Sequence, residues 1–361
     1  MTVTHPTPHA EADALQAIAA GAPARDAEPD PRFPADAFEA LAGAGLLGWT
    51  AAGSERPPAS RELALVREVA AADGSVGRIY DGHLNAIERL AVQGSAALRE
   101  RELPRFAAGE LLGGVWGGDP APGEGERAAV IDTPAGPVLR GVKTFCSGAG
   151  GLDRALVLAR APGGGAPLSA WVDLTDGERA LVDPGWYRSH GLRASVSHRV
   201  VFADLPVLEL LGAPGAISAQ PWFARDALRT AATWAGMADS AVSSALSELG
   251  ARPVTGPLEG LAAGRILTAQ RTISLWLARG ATAMDDRGAE LAGIALHGRV
   301  TIADACRTLL DEAARACGSR PFARGGALDR ARRDLEVFLL QHRLDPMLAR
   351  AGEAAIDAHR S

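Results

Sequence analysis

The chain has 361 residues, 47% of them apolar and 22% charged, which suits a soluble globular protein with more than one packed unit. A formal net charge of −6 without a basic tract argues against general nucleic-acid binding. Cys146, Cys306 and Cys317 lack metal-ligand spacing and the N-terminus lacks a signal-peptide pattern, so a cytoplasmic protein with reduced thiols, no metal and no membrane span is expected.

Residues 1–35 are Ala-rich, acidic and punctuated by proline. Residues 1–31 are expected to be disordered apart from a short helix over 13–20, with a linker over 22–34. A helix then follows with Phe38, Leu41 and Leu46 on its apolar face. Ser60 is the expected N-cap of a helix over 62–72 that turns Leu63, Leu65 and Val69 inward. Asp73-Gly-Ser75 interrupts the period, which resumes over 76–92 and 97–106. Residues 1–110 therefore read as an N-terminal α-helical domain.

Composition shifts at Gly113. Apolar residues now fall in short runs at 128–132, 138–139, 155–158, 170–172 and 199–202. Turn sequences such as Pro134-Ala-Gly136 and Pro162-Gly-Gly-Gly165 separate them. The runs are too close for helical crossovers, so a middle antiparallel β domain over 111–215, a small barrel or sandwich, is expected. From Pro221 the helical period returns over 222–248, 257–285, 289–317 and 327–352. Four long helices with short links predict a C-terminal four-helix bundle over 216–361. The fold class is α+β.

Two motifs stand out in the β region. One is Gly141-Val-Lys-Thr-Phe-Cys-Ser147. The other is Gly191-Leu-Arg-Ala-Ser195, running on to Val201-Phe-Ala-Asp-Leu-Pro-Val207. With the α–β–α order, they make residues 32–350 resemble the acyl-CoA dehydrogenase superfamily. The resemblance implies a flavin, FAD or else FMN, between the β domain and the bundle. It implies Phe145 as a wall of the flavin ring and Ser147 as a hydroxyl donor at its redox-active edge. Reduced flavin carries negative charge, which a hydroxyl aimed at it stabilises. Arg252, at the family distance from Gly236, is implied as a phosphate ligand of FAD across a subunit interface. A homodimer or homotetramer is implied with it. Arg193 reads as the residue of a strand turn.

The chain also departs from the family. Gly114-Val-Trp-Gly-Gly-Asp-Pro120 replaces the family's Thr-Glu-Pro loop, so Trp116 covers the flavin pyrimidine, fills the acyl site or lies buried in the core. The family's catalytic Glu is missing after Arg333-Asp334, and the spacing falls on His342. In members that carry the base on the first bundle helix, the spacing falls on Asp226. Either residue is a candidate base, and an imidazole could also donate a proton in oxygen chemistry. His83 is a candidate for the substrate side. The expected reaction is α,β-dehydrogenation of an acyl thioester such as an acyl-CoA. Alternatives are a two-component flavin monooxygenase and a non-catalytic flavin-binding member. An electron-transfer flavoprotein or a flavin reductase would be the redox partner.

Overall fold

The structure, a computed structural model, describes residues 7–51, 56–254, 256–286, 288–341 and 344–360. The chain forms two compact units. One gathers Met1–Pro57, Ser75–Ser189 and Arg193–Trp222; the other gathers Pro58–Gly74, His190–Leu192 and Phe223–Ser361.

The first unit opens with α1 (Pro8–Ala27) and α2 (Ala35–Gly43). The first of these corrects the expected disordered lead-in. Thr7 accepts from the Ala10 N–H at 3.3 Å, and Ala14, Ile18 and Ala22 are buried. Pro23 lies inside the helix without ending it. An interior proline costs about 3 kcal/mol, comparable with what one buried Ile side chain contributes, roughly 1.5–3 kcal/mol. Arg25 adds an ion pair to Asp36 at 2.6 Å.

Helix α4 (Gly74–Gln93), in this unit from Ser75 on, is buried along nearly its whole length. Its polar side chains must therefore find internal partners. Tyr80 donates to the Leu46 carbonyl at 2.6 Å, Asn85 to Asp81 at 2.9 Å and Arg89 to the Ile217 carbonyl at 2.8 Å. Helix α5 (Ala96–Ala107) is capped by Ser95, which accepts from the Leu98 N–H at 3.3 Å. Its buried Glu102 meets Arg154 at 3.1 Å and the Trp171 indole N–H at 2.7 Å, which compensates the buried charge. Ile87, Leu90, Phe106, Leu156, Trp171 and Leu211 form the core between these helices and the sheet.

Seven strands follow: β1 (Gly113–Trp116), β2 (Ala129–Thr133), β3 (Gly136–Cys146), β4 (Arg154–Ala159), β5 (Leu168–Asp173), β6 (Ala180–Asp183) and β7 (His198–Leu210). The order is β1-β4-β5-β7-β3-β2, with β6 on β7. The Val130 N–H donates to the Arg160 carbonyl at 3.1 Å and the Arg160 N–H to the Ala128 carbonyl at 2.9 Å. Those bonds bring β2 back to the end of β4, so the sheet closes as a small barrel. One pairing corrects the expected antiparallel domain: β1 runs parallel to β4. The hairpin of β2 and β3 serves as the crossover that a helix usually provides.

The second unit holds α3 (Ala59–Ala72), α6 (Trp222–Gly250), α7 (Pro257–Asp286), α8 (Leu291–Cys317), the short α9 (Arg320–Ala323), α10 (Ala327–Leu340) and α11 (Asp345–Ala358). Helix α3 starts at Ala59, whose N–H is held by Asp285 at 3.0 Å, so Ser60 is not its cap. A Cβ on Gly236 would lie 2.1 Å from the Arg67 carbonyl, which explains the glycine: α6 and α3 touch there through backbone. Arg67 then reaches Asp239 at 2.8 Å. The fourth expected bundle segment is two helices, α10 and α11. Pro346 has no N–H to continue a helix but suits the first turn of a new one. Gly191 belongs to this unit and has no room for a side chain, since its Cβ would lie 2.1 Å from the Arg333 carbonyl. Beside it, the Leu192 N–H donates to Asp334 at 2.6 Å. No helix among the described residues is long and apolar enough to cross a membrane.

Candidate functional site

The motif Gly141–Ser147 forms the end of β3, and the local register explains what it displays. Lys143 pairs with Val200 and Cys146 with His198, so β3 carries one residue more than β7 across this stretch. Phe145 takes up the bulge with φ +54°, a region that aromatic residues rarely adopt. Its ring is turned out and is 49% exposed. It meets Trp186 edge to face, with centroids 5.0 Å apart and an interplanar angle of 83°. The Trp186 indole donates to Glu124 at 3.2 Å.

Ser147 follows directly. Its N–H donates to the Phe145 carbonyl at 3.0 Å, and its own carbonyl accepts from the Trp116 indole N–H at 3.0 Å. Its hydroxyl lies 2.9 Å from that of Ser197. Trp116 is fully buried beside Phe202, at 6.5 Å between ring centroids. It therefore supports Ser147 from behind, and neither ring-covering role expected from the sequence has an exposed face to use. Lys143 and Thr144 clamp the loop after β1. Lys143 Nζ meets Asp119 at 2.7 Å, and the Thr144 hydroxyl donates to the Asp119 carbonyl at 3.0 Å.

Phe145, Ser147 and Trp116 are thus brought together. An outward aromatic face beside a hydroxyl on a rigid strand end fits the rim of a planar, redox-active heterocycle. Trp186, Ser195 and Ser197 join them; of these the sequence singled out only Ser195, as the end of a motif. The sequence holds the Ser195-x-Ser197 spacing, but only the fold brings those hydroxyls to Ser147.

His83 sits in the core of the first unit. Nε2 lies 3.0 Å from the Leu47 carbonyl, and Nδ1 accepts from the Gly113 N–H at 3.0 Å. Burial pushes its pKa down to about 4, the Leu47 contact opposing that shift in part. Both nitrogens are engaged and no face is exposed, which is the geometry of a structural histidine and corrects the expected substrate-side placement.

The remaining candidates lie in the second unit. Asp226 is ion-paired to Arg229 at 3.3 Å. Arg229 also meets the buried Glu62 at 2.6 Å, and Arg225 meets Glu62 at 3.4 Å. Arg252 donates through Nη2 to the carbonyls of Ala316 and Cys317, at 2.7 and 3.2 Å, and through Nη1 to Glu259 at 3.4 Å. It closes the C-terminal end of α8, where a cation is favoured by the helix dipole. A phosphate would compete with those partners. His342 lies outside the described residues. Arg193 donates to the Glu28 carbonyl at the start of the turn, a structural contact.

Comparison with known proteins agrees with the fold. Residues 12–110 match the model of the acyl-CoA dehydrogenase N-terminal domain. The chain is 33% identical over 186 residues to the dibenzothiophene monooxygenase of Mycolicibacterium goodii, a stretch covering 48% of this chain and 41% of that relative. The match thus spans about two fifths of the relative's length. TdsC of Paenibacillus sp. A11-2, solved with FMN and indole, superposes with a TM-score of 0.81 at 20% identity, covering 97% of this chain and 96% of that one. The methanesulfinate monooxygenase MsuC of Pseudomonas fluorescens superposes with a TM-score of 0.80 at 22% identity, covering 98% and 97%. At those identities the two structures speak to fold alone. The curated relative is a monooxygenase, which draws support away from the expected acyl-thioester dehydrogenation. The family model thus matches residues 12–110, and over its whole length the chain has the acyl-CoA dehydrogenase-like fold.

Proposed function

We propose that the chain is a flavin-dependent monooxygenase that takes reduced flavin and dioxygen and oxygenates a small planar aromatic or sulfur heterocycle. The observation that carries this reading is the 33% identity to a dibenzothiophene monooxygenase. Asp226 supports it. A base for α-proton abstraction needs a free carboxylate in reach of the substrate, and this one is held by Arg229.

FMN is the flavin we assign. The pyrophosphate of FAD would need Arg252, whose guanidinium is already engaged with α8 and Glu259. A bound reduced flavin would supply the two electrons that let one oxygen atom enter the substrate while the other leaves as water. In this reading Phe145 offers the flavin ring an aromatic edge and excludes water there. Ser147 directs a hydroxyl proton at the ring, and Trp116 fixes the Ser147 backbone. A separate flavin reductase is the partner that supplies reduced flavin. A homo-oligomer belongs to the same reading.

The test is turnover of the full chain with FMN, a flavin reductase, NADH and dioxygen, using dibenzothiophene and indole as probes. A product heavier by one oxygen, labelled from ¹⁸O₂, is expected. Anaerobic bleaching of bound flavin by an acyl-CoA, without oxygenation of either probe, would overturn the reading in favour of dehydrogenation.

A further inference from the structure

Three serine hydroxyls run inward from the candidate site. Ser147 Oγ and Ser197 Oγ are 2.9 Å apart, and Ser197 Oγ and Ser195 Oγ are 2.8 Å apart. Ser147 is 7% exposed, whereas Ser195 and Ser197 are wholly buried.

Proton counting decides what such a chain can do. Each hydroxyl has one proton, and the two links use two of the three. If both outer hydroxyls donate to Ser197, the spare proton is on that wholly buried residue and finds no acceptor among the described residues, a costly state; otherwise it lies at one end. If the links run inward from Ser147, the spare proton is on Ser195, which has no further hydrogen-bond partner among the described residues. That leaves a buried donor unsatisfied, a costly state. If the links run from Ser195 through Ser197 to Ser147, the spare proton is on Ser147, at the end nearest solvent. The second direction is favoured, and it makes Ser147 a donor toward whatever lies before it.

The backbone is built to hold this arrangement. Val196, between the two inner serines, has φ +40°, which is disfavoured for a β-branched residue. Phe145, two residues before Ser147, has φ +54°. Unfavourable backbone at both ends of a hydroxyl chain persists only where the surroundings over-determine it. The main chain ties the ends together, since the Gly148 N–H donates to the Ser195 carbonyl at 2.8 Å.

We propose that Ser197 is a positioning residue that polarises the Ser147 hydroxyl outward, with Ser195 donating to it from behind, so that the site holds reduced flavin more tightly than oxidised flavin. The proposal rests on the reading that Ser147 faces the flavin. The chain ends blind at Ser195, so it orients a proton and does not conduct one.

The test titrates oxidised FMN and dithionite-reduced FMN anaerobically against the full chain, with the midpoint potential of bound FMN as a second readout. Ser147→Ala is expected to lower the preference for reduced FMN about tenfold, the scale of one hydrogen bond to a charged acceptor. Ser197→Ala is expected to lower it about threefold, because the donor remains but loses its orientation. Ser197→Thr, which keeps the hydroxyl, should restore the parent preference. Ser195→Ala should stay within about twofold, since the shortened chain still avoids an inward orphan. If Ser197→Thr does not fold, the graded order of the three alanine variants decides. A purely structural loss would weaken both redox forms alike. If Ser147→Ala shifts the preference while Ser197→Ala does not, or if Ser195→Ala exceeds Ser197→Ala, the polarising role is wrong and the flavin site stands. If Ser147→Ala leaves the preference unchanged, flavin does not face Ser147 and both fall.

Discussion

The indole N–H of Trp116 donates to the carbonyl oxygen of Ser147 at 3.0 Å. Trp116 is fully buried, so no solvent stands ready to replace that bond. Trp116→Phe keeps an aromatic ring and removes the donor. An unsatisfied buried carbonyl costs about 1–3 kcal/mol, more than the small change in apolar volume. Urea unfolding should show a loss in that range. An unchanged midpoint would mean that the carbonyl finds another donor and that Trp116 does not fix Ser147.

Phe145 presents two opposing terms. Its left-handed backbone costs about 1–2 kcal/mol, which glycine would relieve. Its edge contact with Trp186 contributes about 0.5–1.5 kcal/mol, which glycine would lose. Phe145→Gly should therefore leave stability within about 1 kcal/mol of the parent. Flavin affinity should nevertheless fall about tenfold, because in the proposed site the exposed ring contacts the flavin. Parent-like FMN affinity in a stable Phe145→Gly protein would remove the ring from the site.

His83 gives a pH dependence whose sign follows from its burial. The folded-state pKa is near 4 against 6.5 for the free side chain, so the unfolded chain binds the proton more readily. Its contribution is present in full above pH 6.5 and is lost as pH falls from 6.5 toward 4. The span corresponds to on the order of 3 kcal/mol. Melting temperature measured across that window should fall with pH, and His83→Asn should flatten the slope. An equal slope in both proteins would show that other groups govern the acid limb.

Sequence and structure agree where the signal is local and periodic. The helical runs were legible because apolar residues recur on one face, as Leu63, Leu65 and Val69 do in α3. Helix α1 was not, because Pro23 reads as a breaker until burial of Ile18 and Ala22 outweighs it. Parallel pairing of β1 with β4 was hidden because Gly113 and Arg154 meet only through the fold. Phe145 and Ser147 were singled out from their motif, and the structure brings them together at the end of β3. The inward turn of Trp116 was not legible, since a strand as short as Gly113–Trp116 carries too little alternation to assign faces. Ser197 and Trp186 were invisible for the same reason as the parallel strand: their partners are distant in the chain.

Asp226 separates the two enzyme chemistries. Its side chain is 18% exposed and paired with Arg229. In an oxygenation reaction it has no proton to abstract from carbon. Asp226→Asn preserves shape and should leave single-turnover oxygenation within about threefold of the parent, with a modest loss of stability as Arg229 loses a partner. A loss of two orders of magnitude or more in turnover, with the fold intact, would return Asp226 to the chemistry.

Arg252 separates a phosphate ligand from a helix clamp. Nη2 bridges the Ala316 and Cys317 carbonyls at the end of α8, and the side chain is 32% exposed. Charged hydrogen bonds to terminal carbonyls contribute about 1.5–3 kcal/mol when buried, and solvent at this exposure reduces that to about 1 kcal/mol. Arg252→Ala should therefore lower the unfolding free energy by about 1 kcal/mol and fray the end of α8. Hydrogen exchange at Cys317 and Gly318 would report the fraying. FMN affinity, corrected for the folded fraction, should match the parent, because the guanidinium already has partners and FMN lacks the pyrophosphate for which it would have to leave them. A tenfold or greater loss of FMN affinity with α8 protection unchanged would show that the guanidinium releases its carbonyls to take a phosphate, and would restore the role its position in the family implies.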